Sequence, residues 1–185
     1  MQPLLTPDNY HAKVVELIRS AREELLIHNQ TFNAPKPSHA RLAKIMDAIL
    51  DAQQRGVAVR VAFRIIMKAD ARRNLEALQD LGFDMASVRV QKNLHTKGIV
   101  VDRKRVMLGS QNLSEQGVSL NRDASLIFED AELARYFAEI FDHDWQNLAS
   151  DSIDVVPGGF ELAEPGTAVP NGFVRASIEE VLETL

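Results

Sequence analysis

The sequence predicts an α/β domain, a mixed β-sheet flanked by helices on both faces. Three observations carry that reading. β-branched runs alternate with amphipathic stretches through residues 7–91, and two apolar runs separated by a polar pair then mark a hairpin. The composition, 45% hydrophobic and 25% charged, is that of an ordinary core-forming domain. Helical crossovers give parallel strand pairs and the hairpin gives an antiparallel one, hence a mixed, layered sheet. A chain of 185 residues needs no covalent staple, and the absence of cysteine excludes thiolate chemistry, disulfides and Cys-type zinc sites.

From Thr6-Pro7-Asp8 onward, Val14, Val15, Leu17, Ile18 and Ala21 keep helical spacing, so a helix is expected over 7–23 with Thr6 or Asp8 as its cap. Leu25 to Phe32 reads as a strand. After the Pro35-Lys36-Pro37 break, Leu42, Ile45, Met46, Ile49 and Leu50 stripe a second helix that Gly56 ends. Val57 to Ile66 is a β-branched strand, residues 70–81 a helix stopped by Gly82, and Ser87 to Gln91 another strand. The runs ending at Asp102 and beginning at Arg105, with Arg103-Lys104 between them, make the hairpin. Asp123 to Glu129 supplies a last strand, and Leu133, Phe137, Ile140, Phe141 and Trp145 stripe a final helix at 130–148.

Residues 1–150 are thus expected to form one folded module and 151–185 an extended acidic tail. Pro and Gly recur through 150–173, and Ser177-Ile178-Glu179-Glu180 offers a capping box for a short C-terminal helix. The net charge of -5 is unevenly spread. Residues 55–105 hold twelve basic and five acidic groups, whereas residues 121–185 hold three basic and fourteen acidic ones. A basic centre inside an acidic chain is compatible with a phosphate-bearing partner. Neither a run of 18 apolar residues nor a basic-then-apolar N-terminus is present, so a cytoplasmic location is expected.

The chemistry-bearing segment is NLHTKGIVVDRKRVMLGSQN, residues 93–112. In it His95, Lys97, Asp102, Gly109, Ser110 and Asn112 fit H-x-K-x4-D-x6-G-S-x-N. Six fixed positions arise by chance with odds on the order of 10⁻⁸ per starting point. On a strand His95 and Lys97 project to one face, and Ser110 and Asn112 emerge together from the end of the paired strand. Asp102 has the opposite parity and lies at the turn, which gives it a supporting role, and Gly109 lets the backbone approach closely beside Ser110. A neutral imidazole can attack phosphorus while an ammonium, an amide and a hydroxyl stabilise the charge that builds on the equatorial oxygens. His11, His28, His39 and His143 lie outside the full six-position pattern and read as ordinary surface or core groups.

This motif identifies the chain as similar to the phospholipase D superfamily. The order of elements over roughly residues 5–148 looks like one catalytic module of that superfamily. The resemblance implies a metal-independent phosphodiesterase with no cofactor, acting through a covalent phosphohistidine on a phospholipid or nucleic-acid phosphodiester. His95 is then the nucleophile, Lys97, Ser110 and Asn112 the phosphate ligands, and Asp123, shorter than the glutamate common there, stands where family members often carry an acidic residue that orients the histidine. The resemblance also implies a second motif histidine that protonates the leaving group, yet the chain holds a single H-x-K-x4-D motif. A homodimer mate or the other half of a longer two-motif chain would supply it. The lack of a leader and the long acidic extension favour a C-terminal half, inactive by itself, with an isologous dimer the default for an isolated chain. A non-catalytic interaction or dimerisation module is the contrasting reading, and the intact set of motif residues speaks against it.

Overall fold

Alternation along the strands decides how the layers stack. A computed structural model describes residues 1–64 and 68–150, the side chains of 68–71 excepted. The expected tail and capping box at 151–185 and the expected strand end at Ile65-Ile66 lie outside the described residues. In chain order the elements are β1 (Gln2–Leu5), α1 (Tyr10–Arg19), β2 (Glu24–Asn29), α2 (Ala40–Gln54), β3 (Ala58–Arg64), α3 (Lys68–Asp80), β4 (Val88–Gln91), β5 (Lys97–Val101), β6 (Arg105–Gly109), β7 (Ala124–Phe128), α4 (Ala131–Asn147) and β8 (Ala149–Ser150). The strands form one mixed sheet ordered β1-β7-β6-β5-β2-β3-β4-β8. β2, β3 and β4 run parallel, joined through α2 and α3, whereas β5 pairs antiparallel with both β2 and β6.

Leu25 and Ile27 of β2, Val59, Val61 and Phe63 of β3, and Ile99 and Val101 of β5 are buried in one core with Tyr10, Val14 and Ile18 of α1 and Leu42, Ile45 and Ile49 of α2. Their alternates Leu26, Ala62, Val100 and Val106 meet Ala134, Ala138, Phe141 and Trp145 of α4 on the other face. Helices therefore cover both faces, the layered α/β arrangement that the alternation predicts. α4 starts where Asp130 Oδ1 accepts from the Glu132 and Leu133 N–H groups, each at 3.0 Å.

Three local differences from the sequence reading have physical causes. The opening residues form the edge strand β1, antiparallel to β7. α1 begins at Tyr10 rather than Pro7 because both expected caps are engaged elsewhere. Thr6 Oγ1 donates to Gly117 O at 2.9 Å, and Asp8 accepts from Arg122 Nη1. β2 stops at Asn29, and beyond it Phe32 makes an isolated parallel bridge to Leu113.

At one end of the sheet Arg60 and Arg103 each contact both Glu24 and Asp142, at 2.8 to 2.9 Å. This half-buried ring ties β2, β3, the β5–β6 turn and α4 together. Burial alone would raise the Asp142 pKa, but hydrogen bonds from Arg103 and Arg60 hold it below the usual carboxylate range.

Beneath α4, His28 is 6% exposed and in ring contact with Phe141 at 4.6 Å. Its Nε2 lies 3.8 Å from Asp144 Oδ2. Burial pushes its pKa down to about 4, against the opposing pull of Asp144. The folded state therefore binds this proton more weakly than the unfolded chain, whose histidine titrates near 6.5. The stability carried by neutral His28 is complete above pH 6.5 and lost as pH falls toward 4, at most about 3 kcal/mol. Urea midpoints measured at pH 7 and pH 4.5 should differ in that direction, and His28→Leu should flatten the difference. An unchanged slope in the variant would show that other groups set it.

Candidate active site

Five chain segments converge at the opposite end of the sheet. The C-terminal ends of β2, β3 and β6 and the N-terminal ends of β5 and β7 meet there, so short steps beyond regular structure bring distant residues together. Lys97, the first residue of β5, is 8% exposed and has all three ammonium donors directed. Nζ donates to Gln30 Oε1 at 2.6 Å and to His95 O at 2.9 Å, and lies 3.3 Å from His95 Nδ1. An ammonium only donates, so Nδ1 faces it as the acceptor. His95 lies just before β5, outside regular structure, and is exposed, so strand alternation does not set its pairing with Lys97. Burial pulls the Lys97 pKa down, Asp123 pushes it back up, and Arg64 adds to the lowering.

Ser110 follows β6 and is exposed. Its Oγ donates to Asp123 Oδ1 at 2.8 Å, and Asn121 Nδ2 donates to Asp123 Oδ2 at 3.1 Å. The Asp123 carboxylate thus engages the serine and Asn121, while the imidazole faces Lys97. Asn112 is half-buried, with Oδ1 enclosed and without a hydrogen-bond partner among the described residues. Two glycines hold this edge tight. A Cβ on Gly109 would sit 2.4 Å from Ser125 Cβ, and one on Gly117 would sit 2.2 Å from Asn112 O, so both positions require a missing side chain.

Asp102 stands at the other end of β5, five residues or roughly 16 Å along the strand from Lys97. It adopts φ 52 in the hairpin turn, and its carboxylate accepts from the N–H groups of Arg22, Glu23 and Glu24 at 2.8 to 3.1 Å. Burial would raise its pKa, but those backbone donors and Lys104 bring it below the usual range. Its work is to pin the α1–β2 connection to the hairpin.

The structure adds residues that the motif does not name. Buried Asn29 donates to Gln111 O at 3.2 Å and accepts from Thr31 N and Leu113 N, so it braces the segment that carries Ser110 and Asn112. Gln111 is fully buried and accepts from Ser125 Oγ. The signal for Asn29 and Gln30 was the polar run His28-Asn29-Gln30 that closes the apolar start Leu25-Leu26-Ile27 of that strand. Among the described residues no group of three or more His, Asp or Glu side chains is placed to hold a metal ion.

Residues 14–145 match the family model described as "Cardiolipin synthase, PLD-like domain". The mitochondrial cardiolipin hydrolase of Mus musculus is 27% identical over 137 residues, 74% of this chain and 58% of that protein. A phospholipase D of Rickettsia felis is 32% identical over 105 residues, 57% of this chain and 50% of that one. The chain spans between half and three-fifths of the length of these curated relatives. Among solved structures, a phospholipase D family member, Nuc from Salmonella typhimurium, superposes with a TM-score of 0.67 at 23% identity, covering 82% of this chain and 96% of that one.

Proposed function

Because the chain belongs to the phospholipase D superfamily, we propose that it is a metal-independent phosphodiesterase that works through a covalent phosphohistidine on His95, with a phospholipid or nucleic-acid phosphodiester as substrate. The observation that carries this reading is the His95–Lys97 pair, Nδ1 to Nζ 3.3 Å, at an edge shared with Ser110 and Asn112. Neutral His95 attacks phosphorus, the P–N bond forms as the P–O bond to the leaving alcohol breaks, and the alcohol takes a proton from a second acid. Water or an alcohol then gives its proton to the deprotonated second acid and attacks phosphorus, forming a P–O bond as the P–N bond to His95 breaks. The Lys97 ammonium supplies the positive charge that faces the equatorial oxygens, and Ser110 and Asn112 add donors.

A single motif offers one histidine, so the second acid comes from a dimer mate in an isologous arrangement or from another motif-bearing half. Among the described residues no helix is long and apolar enough to cross a membrane. The test is hydrolysis of bis-(p-nitrophenyl) phosphate in excess EDTA together with the solution mass. Turnover by a species near twice 20.6 kDa is the expected result. Activity that vanishes in EDTA and returns with Mg²⁺ or Zn²⁺ would overturn the metal-independent step, and a folded dimer without turnover would leave a binding module.

A further inference from the structure

The contacts of Lys97 pose a chemical problem. Its three donors are already directed to Gln30 Oε1, His95 O and His95 Nδ1, so a phosphate oxygen binds only by replacing one of them. The contact at 3.3 Å to Nδ1 is the longest of the three and the first to yield. Its release would direct one N–H at the phosphate and leave the imidazole nitrogen without a donor against it.

We propose that Gln30 is a positioning residue that holds the Lys97 ammonium through its carboxamide oxygen, so that a single N–H is exchanged between the imidazole and the phosphate. The inference rests on the phosphodiesterase reading and adds to it a residue outside the motif. Gln30 is suited to the task by its placement. It follows β2 directly, its backbone O accepts from Arg64 N at 3.3 Å, and Asn29 beside it is locked in the buried bracing network. The side chain thus starts from a fixed backbone and closes on Lys97 at 2.6 Å.

A neutral acceptor is also the right chemistry. A carboxylate at this position would form an ion pair with the ammonium and compete with the substrate phosphate for the same charge. A carboxamide orients the ammonium and leaves its net charge available. The charged and titratable groups facing Lys97 are Asp123 at the start of β7, Arg64 at the end of β3 and His95 before β5, so loss of Gln30 leaves Asp123 to offset Arg64 and burial.

The experiment compares Gln30→Met, of similar length without a strong acceptor, with Gln30→Glu. Two readouts are taken: the side-chain titration of Lys97 by NMR with labelled lysine, and kcat and KM against pH. In Gln30→Met the Lys97 midpoint should fall by at least about half a pH unit, with kcat/KM down about tenfold and most of the loss in kcat. In Gln30→Glu the midpoint should move up instead, with KM for the anionic substrate raised. A Lys97 midpoint that stays at the wild-type value in both variants would overturn the inference. The Glu arm alone decides if Gln30→Met does not fold. Absence of turnover in the wild type would count against the phosphodiesterase reading, whereas the Lys97 titration still judges Gln30.

Discussion

His95→Ala should lower phosphodiester hydrolysis by at least about 10³-fold while leaving the unfolding midpoint within about 0.5 kcal/mol of the wild type. The asymmetry follows from where the residue sits. His95 is exposed and outside regular structure, so its removal empties no core and leaves Lys97 with two of its three partners, Gln30 Oε1 among them. Loss of activity with intact folding then reads chemistry rather than architecture. An excess of His95→Ala chain mixed and refolded with wild type should also depress turnover per wild-type chain, because a shared site needs one histidine from each partner. Wild-type turnover unaffected by the excess variant would show that each chain works alone, and full activity in the pure variant would remove His95 from the reaction.

Much of the fold was legible because the strands are long enough to alternate and the helices long enough to stripe. The hairpin at 97–109 and the two-sided core follow the apolar spacing of the strands and helices. β1 was not legible. It has four residues including Pro3, and it is held by a partner strand more than 110 residues away. The caps of α1 failed for a related reason: Thr6 and Asp8 have the right chemistry for a cap, but Gly117 O and Arg122, distant in sequence, engage them.

At the site, spacing located the motif but not its wiring. His95 and Lys97 are two residues apart, so sequence alone places them near each other. That Lys97 also closes on Gln30, and that the Asp123 carboxylate engages Ser110, depends on how β2, β5, β6 and β7 are ordered in the sheet. Gly117 could not be singled out either, because its requirement comes from the Asn112 backbone pressed against it.

The largest effect on stability is expected at a residue that does no chemistry. Asn29→Leu should cost about 2–4 kcal/mol, seen as a lower urea midpoint, and should lower kcat in the molecules that remain folded. Asn29 is fully buried, and its side chain serves both as donor, to Gln111 O, and as acceptor, from Thr31 N and Leu113 N. A leucine of similar volume removes all three bonds and leaves the Gln111 carbonyl short of a donor in a dry interior. The damage reaches the site because Gln111 lies between Ser110 and Asn112, so slack in its backbone is slack in both. Asn29→Asp separates the polar role from volume. Ionised, it loses the donor to Gln111 O and buries a charge, whereas protonated it can donate there again. Its folded-state pKa should therefore lie above the unfolded value, so that the variant gains stability as pH falls through that raised pKa. Equal stability of Asn29→Leu and wild type would mean that the Ser110–Asn112 segment is held by its neighbours in β6 and β7 and not by this side chain.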